Sequence, residues 1–92
     1  MKFIKSQDKH ELINAKDVFN ISITDSLDED DDGNDFSDID VFFDANEDSI
    51  VRTIATYRKL DVAVSNLDKL ANFLTSGSAS GLYEMPKDPN DF

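Results

Sequence analysis

Large apolar residues alternate with polar ones at two places in the first half of the chain. Phe19, Ile21 and Ile23 interleave with Asn20, Ser22 and Thr24. Further on, Ile39, Val41 and Phe43 interleave with Asp38, Asp40, Phe42 and Asp44. A period of two is the signature of a strand with one buried face. Both segments are therefore predicted as strands, the second with Asp38, Asp40, Phe42 and Asp44 turned outward. Lys2–Ser6, apolar in its middle, reads as a first strand. Residues 25–37 carry Gly33-Asn34 and no apolar period, so a long acidic hairpin loop is expected there.

The second half switches period. Leu60, Val64, Leu67, Leu70 with Ala71, and Leu74 are spaced as one face of a helix, with Gly77 as its stop. Ser49–Tyr57 admits two readings. Its Ile, Val, Thr and Tyr content is that of a strand, yet Ile50, Ile54 and Tyr57 extend the helical stripe backward. The expected fold is α+β: an antiparallel β-meander of four or five strands packed by one C-terminal helix. The alternative is a three-stranded sheet with one long helix over 48–75. Short hairpin links suit a meander, and parallel crossovers have no evident room. A single domain over 1–85 is expected, with Leu82, Tyr83 and Met85 packed onto it. The Pro-containing segment 86–92 is expected to be a flexible tail.

Length and composition agree with one modest core. Chains near this size bury about 60% of their unfolded surface, and here 39% of 92 residues are hydrophobic, seven of them Phe. The chain has no Cys, which excludes disulfides and thiolate metal sites and fits a reducing cytoplasm. "MKFIKSQDKHELIN" holds no apolar leader core, and no run approaches the roughly 20 apolar residues of a membrane span. A cytoplasmic protein is the expectation, with the Asn20-Ile21-Ser22 sequon arising by chance.

Charge changes the picture most. Twelve of the 20 acids lie between Asp25 and Asp48, where no Lys or Arg occurs; the other eight face all nine bases. The net charge of −11 is therefore local, and it is absent from the rest of the surface.

Catalytic chemistry finds little support. His10 is the one histidine, set between Lys9 and Glu11 in an expected turn, and the three glycines form no phosphate loop. A non-enzymatic role is expected. Two binding chemistries are open. Asp28-x-Asp30-x-Asp32-Gly33 reproduces the first half of an EF-hand calcium loop, with oxygen ligands at positions 1, 3 and 5. Asp35 and Ile39 replace its aliphatic residue and its bidentate Glu, so Asp28, Asp30 and Asp32 would make a weak calcium module. No other cofactor is implied.

The other chemistry is charge. Asp28, Glu29, Asp30, Asp31, Asp32, Asp35, Asp38, Asp40 and Asp44 form an acidic row with Phe42 as an apolar anchor. Alternate residues on a strand are roughly 6.6–6.8 Å apart, so the row imitates a polyanion. It suits a basic protein surface, with electrostatic steering and salt dependence to match. Neutralising Asp38, Asp40 and Asp44 should then leave the fold intact. No direct nucleic-acid or membrane contact is expected, and the chain is read as monomer or homodimer. A phage or assembly component that uses its helix face is a further alternative.

The order "FIKS…ELINAKDVFNISI", a strand, "LDKLANFLTSG" and "LYEMP" resembles small proteins encoded by phages, prophages and mobile elements of Gram-positive bacteria. "DDGNDF" with "NEDSIV" is similar to small acidic anti-CRISPR inhibitors of type II effectors. That resemblance implies a DNA mimic in the host cytoplasm, inhibiting a nucleic-acid-binding effector. It also implies a helix opening at Ser49-Ile50-Val51.

Overall fold

The computed structural model describes residues 1–29, 33, 35–44, 50–78 and 80–89, and of 27–29 the backbone alone. It is an α+β fold of two three-stranded sheets and one helix. The elements are β1 (Lys2–Lys5), β2 (Leu12–Asn14), a 3-10 turn (Ala15–Asp17), β3 (Asn20–Glu29), β4 (Asp35–Phe42), β5 (Val51–Tyr57), α1 (Leu60–Leu74) and β6 (Gly81–Glu84).

Where a meander of four or five strands was expected, only β3-β4-β5 forms one. The other sheet has the order β2-β1-β6, and β1 runs parallel to β6 with Lys2 opposite Gly81 and Lys5 opposite Glu84. The expectation that parallel connections have no room is thus overturned: this connection spans nearly the whole chain, with the meander and helix falling between its two strands in sequence.

Val51–Tyr57 is a strand, which removes the long helix over 48–75 and the helix start implied at Val51. The segment pairs with β4 through a bulge: Ile39 faces Ala55 and Asp40 faces Thr53, so Ile54 is the extra residue. Ile54 and Ala55 are both buried. The Ile54 carbonyl accepts from the Gln7 amide at 2.7 Å, and the Gln7 side chain accepts from the Thr56 amide at 3.0 Å. Gln7 thereby caps the free edge of β5 and ties the two sheets together.

The core joins Ile4, Ile13, Ile39, Val41, Ile54, Tyr57, Ala63, Leu70 and Met85. Ile21, Ile23 and Phe43 pack against it as the alternation requires, whereas Phe19 precedes β3 and is 63% exposed. The expected stripe holds in the second half of the helix, where Leu70 is buried and Leu67 and Leu74 pack against the core. In the first half Leu60 and Val64 are exposed, and Ala63 and Asn66 are buried in their place, with Val62 beside them. The small Ala63 lets these turns approach the sheet closely.

The carboxy-terminal end of α1 has no basic residue of its own. Lys2 of β1 supplies one: its Nζ donates to the carbonyls of Phe73, Leu74 and Ser76 at 2.9–3.0 Å and lies 5.5 Å from the Phe73 ring centre. It satisfies orphan carbonyls and complements the helix dipole. Gly81, at φ +157, passes so close to Phe73 that a Cβ there would lie 3.0 Å from the ring.

Met85 is buried and Tyr83 half-buried, as expected, whereas Leu82 on the other face of β6 is exposed; the chain stays docked beyond them. The Pro86 carbonyl accepts from the Tyr57 hydroxyl at 2.7 Å and from the Gln7 amide group at 3.0 Å. Asp88 is buried and accepts from the Arg58 amide. The expected tail from residue 86 is thus part of the fold through Asp88, because buried backbone groups of β5 and its exit find acceptors there.

Candidate functional site: the acidic hairpin

The acidic stretch is mostly strand. In place of a loop over 25–37, β3 continues through Glu29 and β4 begins at Asp35. Asp25 pairs with Ser37 and Glu29 with Asp35, with a register shift between the two pairs.

The expected site residues divide into groups. Asp28 and Glu29 stand on β3 by backbone position; Asp30, Asp31 and Asp32 lie outside the described residues. Asp35 is exposed at the start of β4, and Asp44 is exposed just beyond its end. Asp38 is half-buried, and its carboxyl accepts from the Thr56 hydroxyl at 2.6 Å. Asp40 departs most from expectation. It is 9% exposed, and its two carboxyl oxygens accept from Thr24 at 2.8 Å and Thr53 at 2.7 Å.

Asp40 is therefore a cross-strand tie on the central strand, and it leaves the open acidic row. Thr24 on β3 and Thr53 on β5 flank it because each sits on the same face of its own strand. Phe42 is half-buried and pairs in register with Asn20 and Val51. Val51 is 42% exposed, so Phe42 belongs to a partly open apolar corner of the sheet.

The three threonines were missed in the sequence. The available signal was Thr on both neighbouring strands, in register with the outward acids of β4. At the other end of this face Arg58 covers Phe36, with its guanidinium carbon 5.6 Å from the ring centre. Ion pairs join Lys5 to Glu84, His10 to Asp8 and Arg52 to Glu11, and none of these three involves Asp25, Asp35, Asp38 or Asp40.

The EF-hand reading meets a different scaffold. The segments entering and leaving the Asp28–Gly33 stretch are the paired strands β3 and β4, where an EF-hand has two helices. Asp30 and Asp32 are outside the described residues, and among those described no group of three His, Asp or Glu side chains is placed to hold a metal.

His10 is exposed in the β1–β2 turn, with Nδ1 3.8 Å from Asp8. The Ser6 hydroxyl and the His10 amide both donate to Asp8 and hold its carboxyl below the usual carboxylate range. Burial pushes the Tyr57 phenol far above its ordinary value, and pushes Tyr83 up as well. A groove of about 450 Å³ between α1 and the chain after β6 is lined by Val62, Asn66, Lys69, Pro86 and Lys87 among others, and shares no residue with the hairpin. No described helix is long and apolar enough to cross a membrane. No protein-family model, curated protein or solved structure matches this chain.

Proposed function

We propose that this protein is a non-enzymatic acidic interaction module. Its β3–β4 hairpin offers carboxylates to a basic surface on another macromolecule, as a nucleic-acid mimic that inhibits a basic nucleic-acid-binding effector in the manner of an anti-CRISPR protein. The observation that supports this reading is the pairing of acid on acid: Glu29 faces Asp35 across the hairpin, in a stretch with no Lys or Arg from Asp25 to Asp48. Like charges directly opposite on paired strands destabilise a sheet by about 0.2–1 kcal/mol per pair. A basic partner relieves that repulsion on binding.

The contact residues are revised by the burial of Asp40. Asp25, Glu29, Asp35, Asp38 and Asp44 carry the charge, and Phe42 with Val51 supplies an apolar margin.

The test is displacement of a fluorescent DNA duplex from a purified type II RNA-guided nuclease and from two unrelated basic duplex-binding proteins. Salt is varied from about 50 to 200 mM, a range over which phosphate-like contacts weaken steeply. The proposal expects displacement from at least one of them, lost with rising salt and weakened at least tenfold by the combined change Asp25→Asn, Glu29→Gln and Asp35→Asn. Displacement that this triple variant leaves unchanged, or none at low salt, overturns the reading.

A further inference from the structure

We infer that the free edge of β3 is a docking site for an extended, lysine- or arginine-bearing segment of a partner, which adds to the meander as a fourth strand. This deepens the reading above and rests on it for the sign of the partner's charge.

The two edges of the β3-β4-β5 sheet are treated differently by the fold. The β5 edge is capped at Ile54 and Thr56: Gln7 donates its amide to the Ile54 carbonyl and receives the Thr56 amide on its side chain. β3 pairs with β4 alone, and no described strand lies along its other side. From Asn20 to Asp25 it keeps regular register with β4, opposite Phe42 through Ser37. Six residues at about 3.4 Å each give an edge of about 20 Å. An exposed edge of this length is a template for another strand, and proteins usually blunt one with Lys, Pro or a bulge. Asn20–Asp25 contains neither Lys nor Pro, and its register shift begins only after Asp25.

Charge selects the occupant. Past Asp25 the edge runs into the acids of the hairpin, with Asp35 exposed on the neighbouring strand. A second copy carries the same net charge of −11, so self-pairing is opposed. A strand bearing alternate Lys or Arg is complementary. The opposite end of the edge meets Phe19, 63% exposed immediately before Asn20, which favours an apolar residue at that end of the incoming segment.

The test uses the whole protein and two synthetic octapeptides of equal charge, one alternating Lys with Val and one alternating Lys with Pro. Proline has no amide hydrogen to give to a ladder. The expected result is at least tenfold tighter binding of the Lys-Val peptide at low salt, with amide exchange slowed at least tenfold within Ile21–Asp25. Equal binding of the two peptides overturns the strand-addition proposal and leaves the charge-based function standing. Binding of neither overturns both. Concentration-dependent dimerisation that protects the same amides replaces the basic partner with a second copy and also overturns the proposal.

Discussion

Asp40 sits on the central strand of the meander with both carboxyl oxygens engaged by threonine hydroxyls from the two flanking strands. Its removal leaves two donors without their acceptor. Asp40→Ala is expected to lower stability by about 2 kcal/mol, in the range of hydrogen bonds to an acidic group. Asp40→Asn, which keeps one oxygen acceptor, should lose less than half as much. Urea unfolding midpoints of the three proteins decide this, and an unchanged midpoint for Asp40→Ala would return Asp40 to the acidic surface. The earlier expectation that Asp38, Asp40 and Asp44 can be neutralised together without effect on the fold therefore does not hold for Asp40. Alternation correctly put Asp40 opposite Ile39 and Val41. It carried no information about what stood beside it.

At the scale of elements, α1 and β5 show how neighbours decide between near-equal local preferences. The stripe through Leu60, Val64, Leu67, Leu70 and Leu74 meets the core only from Leu67 onward, and in the first turns Ala63 and Asn66 are buried instead of Leu60 and Val64. Leu70→Ala is expected to cost about 2–5 kcal/mol as a cavity in a closed core. Leu60→Ala, at a position 60% exposed, should change stability by about 0.5 kcal/mol or less. Thermal unfolding of the two variants checks this, and equal losses would mean that Leu60 is buried as the full stripe requires. The strand identity of Val51–Tyr57 is decided in the same way, since its β-branched residues only become a strand because β4 offers them a ladder.

At the scale of the molecule, charge and burial set the response to solvent. With a net charge of −11 concentrated on one hairpin, self-repulsion opposes the compact state and salt screens it. The melting temperature should rise between low salt and about 0.15 M sodium chloride, and a fall would show that ion pairs outweigh repulsion. Tyr57 governs the alkaline side. It is fully buried and donates to the Pro86 carbonyl, and its folded pKa is raised above the ordinary 10. Above pH 10 the unfolded chain gives up that proton while the folded chain keeps it. The contribution is therefore complete below pH 10 and declines as pH rises, by at most about 1.4 kcal/mol per pH unit. Tyr57→Phe should be about 1 kcal/mol less stable at neutral pH and should show a shallower alkaline decline. Parallel pH profiles for the two proteins would remove Tyr57 from that role.

The sequence by itself determined the strands around Ile21–Ile23 and Ile39–Val41, the existence of the helix, the exposed turn at His10 and the confinement of charge to one quarter of the chain. Each of these follows from local periodicity or composition, which the chain carries without reference to partners. Tertiary structure alone decided the rest. Whether Val51–Tyr57 extends or coils depended on the β4 edge. Which residues of the first helical turns are buried depended on how α1 packs on the sheet. The parallel pairing of β1 with β6, the capping of α1 by Lys2 and the docking of Pro86–Asp88 join residues some 30 to 80 positions apart, and no local window contains both members. The acidic hairpin stands between the two cases. Its charge was legible residue by residue, but only the register of β3 on β4 and the threonines beside Asp40 separate the carboxyls that hold the sheet from those open to a partner.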